Sequence, residues 1–155
     1  MTAPVLYRYY IQDTALVEDV RCIKLFFEPR NPADFLFHGF LYITDDSTYA
    51  IRKIDISLNK KINIDWIKDV RIIQDFKESE EKTWLLSKDE VAVDFGVMQG
   101  LPGVLGRRTV SYNDYSINKA IPDSIFKGPD KVWDKDAYNK NTIYWESVRK
   151  PPLDN

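Results

Sequence analysis

One cysteine, Cys22, and one histidine, His38, are all that the 155 residues offer for redox, metal or imidazole chemistry. A single cysteine excludes an internal disulfide but leaves the compartment open, because exported domains also exist without disulfides. One Cys and one His cannot complete a zinc site, and any Ser-His-Asp or Cys-His arrangement would have to use His38. An all-carboxylate Mg or Ca site stays conceivable, but no metal or cofactor is expected. Long apolar runs are missing as well. No stretch reaches the length of about 18 residues that a membrane helix needs, so no spanning helix is expected. Positive charge is not in excess: 22 basic and 24 acidic residues give a net charge of −2. That excludes the electrostatic footprint of a nucleic-acid binder. The opening MTAPVLYRYYIQDT lacks a basic leader and a continuous apolar segment, so it does not read as a signal peptide. The expectation is either a cytosolic protein or a piece of a longer exported chain.

What the chain has is aromatic residues: nine Tyr, eight Phe and four Trp. Together with Ile and Thr they suit pleated, half-buried strands. The clearest stretch is FHGFLYITDDSTYAIRKIDISL, read as strands Phe37–Thr44 and Tyr49–Leu58 around the turn Asp45-Asp46-Ser47-Thr48, whose side chains can bond their own backbone. Tyr7–Ala15 and Val20–Glu28 make an earlier hairpin, with Tyr7, Tyr9 and Ile11 opposite Arg8, Tyr10 and Gln12. Leu25, Phe26 and Phe27 predict cover on both faces there. Pro29–Phe35 is a loop, and Asn59–Trp66 a polar connection with a short extended piece. Val70–Glu78 and Thr83–Phe95 follow. The second is interrupted by a bulge near Ser87–Glu90, where the alternation of Trp84 and Leu86 slips before Val91. Gly96–Gly106 holds four of the six glycines and reads as a loop. Arg107–Ile117 is the last strand, and Thr142–Arg149 a short helix stopped by Pro151-Pro152. The fold class is mainly β: a curved antiparallel meander of about seven strands, a half-barrel or open barrel, with a closed barrel as the other way such a sheet curls. Residues 1–118 form the sheet, and 119–155 a Pro-rich irregular tail ending in that helix, all within one domain.

No motif carries chemistry by itself. Asp45-Asp46 suits a turn as well as a carboxylate pair. Asp89-Glu90 reads as a bulge or solvent face. Asp13, Asp55, Asp75 and Asp94 fall on strands with no sign that any two converge. The segment from Gly100 to Arg108 is only superficially a phosphate loop: five residues separate Gly100 from Gly106 where four are needed, Arg replaces Lys, and a strand follows instead of a helix. The candidate ligand-binding residues are therefore Phe40, Tyr42, Trp84 and Phe95 as a cavity lining, with Arg107 and Arg108 for an anionic headgroup.

The order of motifs resembles the middle region of a Bacteroidetes family of outer-membrane proteins of unknown function. The matching pieces are Tyr9 to Thr14, IKLFFEPR at Ile23 to Arg30, Gly39 to Ile43 and Thr48 to Asp55. They continue with Ile62-Asn63-Ile64, Asp94-Phe95, Gly106 to Thr109, Ser111-Tyr112, Ile121-Pro122-Asp123, Tyr144-Trp145-Glu146, Val148-Arg149 and Pro152-Leu153. The resemblance implies a chain that lies between a carboxypeptidase-regulatory-like domain and a C-terminal membrane β-barrel, on the periplasmic side of the outer membrane. It implies no catalytic residues. The central hairpin is also similar to the G-x-L-x-I-D…T-Y-x-I pattern of periplasmic lipoprotein carriers, half-barrels that shelter acyl chains, although Thr44 stands where Asp is usual. The function expected from the resemblance is non-enzymatic binding of a lipid or another envelope protein, beside neighbouring domains of the same chain. The alternative is a stand-alone small-molecule binder or enzyme using carboxylates, which requires such groups to meet in a pocket with perturbed pKa values.

Overall fold

The computed structural model describes residues 3–59, 64, 66–96, 103–129 and 135–149. The chain divides into two compact units, Met1–Tyr112 and Asn113–Asn155. The first holds a helical turn, α1 (Ala3–Leu6), and seven strands: β1 (Tyr7–Val17), β2 (Val20–Pro29), β3 (Phe37–Thr44), β4 (Ile51–Leu58), β5 (Ile67–Glu78), β6 (Trp84–Phe95) and β7 (Val104–Ser111). They form one sheet in sequence order with every neighbouring pair antiparallel. This is the expected meander. It does not close into a barrel: β1 and β7 are its two rims.

Several strand ends differ from expectation, each for a local reason. β1 runs on to Val17 because Glu18 and Asp19 make a two-residue turn in left-handed backbone, at φ 44° and 66°. Such turns usually carry Asn-Gly, which hid this one from sequence reasoning. β4 begins at Ile51, since Tyr49 (φ 47°) still belongs to the turn. The last strand is Val104–Ser111, not Arg107–Ile117. Val104, Leu105 and Gly106 pair with Phe95, Asp94 and Val93. Gly106 admits the Phe95 ring, whose Cε2 lies 3.3 Å from where a Cβ would stand. Beyond Tyr112, Asp114 turns left-handed at φ 56°. The remainder of the expected glycine loop, residues 97–102, and most of the Asn59–Trp66 connection lie outside the described residues, as does the expected Pro151-Pro152 stop.

Four residues are extra to the ladder: Gln12 in β1, Arg52 in β4, Lys68 in β5 and Ser87 in β6. Ser87 falls where the bulge was expected. Counting through these bulges sorts the side chains onto two faces. One row across the sheet reads Tyr10, Phe26, Phe40, Asp55, Ile73, Glu90, Thr109. Its neighbour on the opposite face reads Ile11, Leu25, Leu41, Ile54, Gln74, Asp89, Val110, and the next row there Tyr9, Phe27, Gly39, Ile56, Ile72, Val91, Arg108. The sheet thus has one charged and aromatic face and one mainly apolar face. Gly39 is required at the centre: at φ 151° a Cβ there would lie 2.2 Å from the Asp55 carbonyl oxygen.

Burial is shallow. Among the described residues, Cys22 and Leu58 are the buried hydrophobic core, with Thr44, Arg52 and Asp89 the buried polar side chains. A sheet normally hides one face against a second layer. The described part of this unit has strands and α1 only, and the strands meet chiefly their ladder neighbours. Leu25, Phe26 and Phe27 are accordingly half-buried on both faces and not covered twice as expected. The second unit contains 3-10 turns at Asp123–Phe126 and Ala137–Asn139 and the helix α2 (Thr142–Val148). The Asn141 side chain caps α2 by accepting from the Tyr144 amide at 2.9 Å, and Tyr144 and Trp145 meet edge to face.

Candidate functional site

The six residues expected to line a ligand site are not gathered in one place. Phe40, Tyr42 and Arg107 project from the charged face, while Trp84, Phe95 and Arg108 belong to the apolar one. Phe40 and Tyr42 touch, at 6.5 Å between ring centroids, and the Phe40 ring also meets Phe26 and the Lys24 ammonium, 4.2 Å above its centre. Trp84 and Phe95 are the first and last residues of β6 and stand at opposite ends of the sheet. Arg107 faces Glu90 and Arg108 donates to Asp89, so each serves its neighbouring strand.

The charged face is bound together side chain to side chain. Arg71 donates through Nε and Nη2 to the two oxygens of Asp55, at 2.9 and 2.8 Å. This forked geometry is the strong form of the Arg–carboxylate pair, and Asp55 raises the Arg71 pKa further. Lys53 pairs with Asp75, and Lys88 with Glu90. Asp13, Asp55, Asp75 and Asp94 do share this face, although on different strands. Asp69, which sequence reasoning passed over, stands directly opposite Asp94. Burial pushes the Tyr42 phenol upward, and the charge of Asp55 adds to that. His38 lies on the same face, and its Nδ1 is buried with no partner among the described residues. Neither Asp45 nor Asp46 works as a free carboxylate. Asp45 pairs with Arg21 at 2.9 Å. Asp46 Oδ1 accepts from the Thr48 hydroxyl and amide, the Thr44 hydroxyl and the Tyr49 amide, and these bonds, those of Thr48 foremost, hold its pKa below the ordinary carboxylate value. The cluster is a turn builder.

The apolar face carries aliphatic and aromatic side chains from β1 to β7, many of them wet. Ile11 and Leu16 are 74% exposed and Val104 59%. One polar group interrupts it. Asp89, expected at a bulge or in solvent, is 6% exposed and accepts from Gln74 Nε2 at 3.0 Å and Arg108 Nη2 at 2.9 Å. A buried carboxylate persists only when bonded in this way.

At the end of the sheet where the β1–β2, β3–β4 and β5–β6 turns lie, there is an open cleft of about 420 Å³ lined by Glu18, Val20, Asp46, Arg52, Lys77, Glu78 and Trp84. That volume lies in the usual range for a small-ligand site. Arg52, the extra residue of β4, is 3% exposed. Its Nη1 donates to the Phe76 carbonyl and its Nη2 to Glu18 Oε2 at 2.6 Å, which lies 3.9 Å from Lys77 Nζ. Glu18 therefore reaches from the β1–β2 turn, past β3, to cations on β4 and β5. Cys22 is near: its pKa is raised, by burial first, with Arg52 opposing. Of the six expected site residues only Trp84 lines this cleft. Sequence reasoning missed Arg52, whose signal is the three-residue step from Ile51 to Ile54 in an otherwise two-residue alternation.

Residues 2–115 match a family described as "Family of unknown function (DUF5686)". No curated protein and no solved structure gives a significant match.

Proposed function

Since the chain belongs to this family of unknown function, we propose from its geometry that it is a non-enzymatic binding module, which takes an amphiphile or the apolar surface of a protein partner on the open sheet. One observation carries the reading: a seven-strand face of Ile, Leu, Val and aromatic side chains contributes almost nothing to a buried core. Large contiguous apolar surface in contact with water marks interaction sites. The charged face supports a non-catalytic role, because both oxygens of Asp55 accept from Arg71 and Asp75 Oδ1 is paired with Lys53. We further propose, from the motif resemblance, that the module lies on the periplasmic side of a Bacteroidetes outer membrane within a longer exported protein. In that setting a lipid-sheltering half-barrel of the lipoprotein-carrier kind is the nearest analogy. No helix among the described residues is long and apolar enough to cross a membrane.

The test is gentle purification followed by lipid extraction and mass spectrometry, beside native mass spectrometry of the module mixed with the domains that flank it in its gene. Co-purified acyl species that disappear on Leu41→Lys support the amphiphile. A complex with a flanking domain, lost in the same variant, supports the protein partner. Neither species, with Leu41→Lys leaving the protein unchanged, would sink the proposal. Reading the gene for an upstream signal and a downstream barrel tests the location.

A further inference from the structure

We propose that the cleft floored by Arg52 is a carboxylate-binding site, and that Glu18 occupies it as an internal stand-in for the ligand. A guanidinium presents five donors in a rigid fork that matches carboxylate geometry. Arg52 uses one for the Phe76 carbonyl, which anchors the group, and one for a single oxygen of Glu18. Lys77 Nζ stands 3.9 Å from that same oxygen, so two cations converge on one carboxylate position. A bulge is the device that turns a strand residue out of the alternation and aims it elsewhere, and Arg52 is such a residue. Glu18 is poised to leave. Its side chain is 59% exposed, and only one of its two oxygens accepts from Arg52. Its backbone is left-handed at φ 44°, and the next residue, Asp19, is at 66°, conformations that non-glycine residues seldom keep. The exchange is like for like: one carboxylate enters, another moves to water, and the guanidinium is never left unpaired. Two other anions line the cleft, Asp46 and Glu78. The Oδ1 of Asp46 is occupied by its own turn, and neither is paired with Arg52, whose guanidinium bonds Glu18 and the Phe76 carbonyl. Val20 and the Trp84 indole line the cleft beside the cations, so the ligand class is a monocarboxylate with an apolar body. Such a group could be a free small molecule or the end of a peptide.

Calorimetric titration of the whole chain with phenylacetate tests this, with phenylacetamide as the uncharged control and N-acetyl-phenylalanine to represent a peptide end. Saturable binding of phenylacetate is expected, with none of the amide. Glu18→Gln removes the charge of the internal competitor and should tighten binding about fivefold or more. Lys77→Ala, at an exposed position, should weaken it by a similar factor. Circular dichroism checks that both variants stay folded. Tighter binding of N-acetyl-phenylalanine than of phenylacetate assigns the site to a peptide end, and the reverse to a small molecule. Equal binding of acid and amide, or an affinity that does not change in Glu18→Gln, overturns the proposal, as does no binding to either protein at tens of millimolar. The outcome is independent of the apolar face, which is read by acyl or partner retention and by Leu41→Lys.

Discussion

The two faces of the sheet are built from the same strands in the same register, yet they are finished differently. On one, β4 and β5 are laced by Arg71–Asp55 and Lys53–Asp75, β6 and β7 by Arg107–Glu90, and β1 to β3 by the run of rings from Tyr10 through Phe26 to Phe40 and Tyr42. On the other, the side chains are apolar and their natural partner, a second apolar layer, is absent from the described part of the unit. The contrast teaches that the charged face is tied side chain to side chain, apart from the buried His38 Nδ1 and Asp69 Oδ1, while the apolar side chains of the other face have no such partners among the described strands. Cross-strand pairs each add only a fraction of a kcal/mol to about one, so the finished face contributes many small increments, not a core.

Substitutions can break or sharpen that contrast. The largest effect is expected where both faces depend on one backbone position. Gly39→Ala puts a methyl 2.2 Å from the Asp55 carbonyl oxygen and should cost on the order of 3 kcal/mol or more, or prevent folding, as read by urea unfolding. Arg52→Met comes next. It removes a donor to the Phe76 carbonyl and releases Glu18, for about 2 kcal/mol by the same measurement. Asp55→Asn loosens the finished face, but its Arg71 partner is more than half exposed. A forked pair in such a setting contributes about 1 kcal/mol or less. The apolar face should respond in the opposite sense: Ile11→Lys, at a 74% exposed site, should change stability by no more than about 0.5 kcal/mol while abolishing binding on that face. A large loss of stability there would mean that the face is already covered. The smallest effect is expected from acid. The Asp46 pKa is depressed in the folded chain, so its contribution is full above the ordinary carboxylate pKa of about 4 and fades as pH falls through the lower folded value. Thermal melts of Asp46→Asn should therefore lose less than the parent protein on going from neutral to strongly acidic pH.

Alternation was enough to find the strands and their antiparallel order, because Tyr7, Tyr9 and Ile11, or Val70, Ile72, Gln74 and Phe76, mark a face without help from the rest of the chain. The slip after Leu86 marked the bulge that proved to be Ser87. What alternation could not give was the consequence of the slips. Counted through Ser87, Asp89 moves into the apolar row, where Gln74 and Arg108 meet it. Counted through Arg52, an ordinary-looking Arg-Lys pair separates into a buried cation and a surface one. The candidate site was legible only in part for the same reason. Aromatics named by residue type fall on both faces once parity is known, and the cleft depends on Glu18, a turn residue whose partners lie 34 and 59 positions away in sequence. No local pattern carries that pairing. The start of β7 was hidden by its glycine, which admits a neighbouring ring and does not open a loop.

The four supernumerary residues also decide where this gene can gain or lose a codon. Removing Gln12, Lys68 or Ser87 would leave an unbroken ladder with every later side chain still pointing as before, since each is skipped by its partner strand. Removing a residue from the middle of β3, which has no such slack, would turn the rest of that strand inside out and set His38 and Phe40 among leucines. Length variation among descendants of this chain should therefore gather at those three places, and at the fourth only in chains that have given up the cleft.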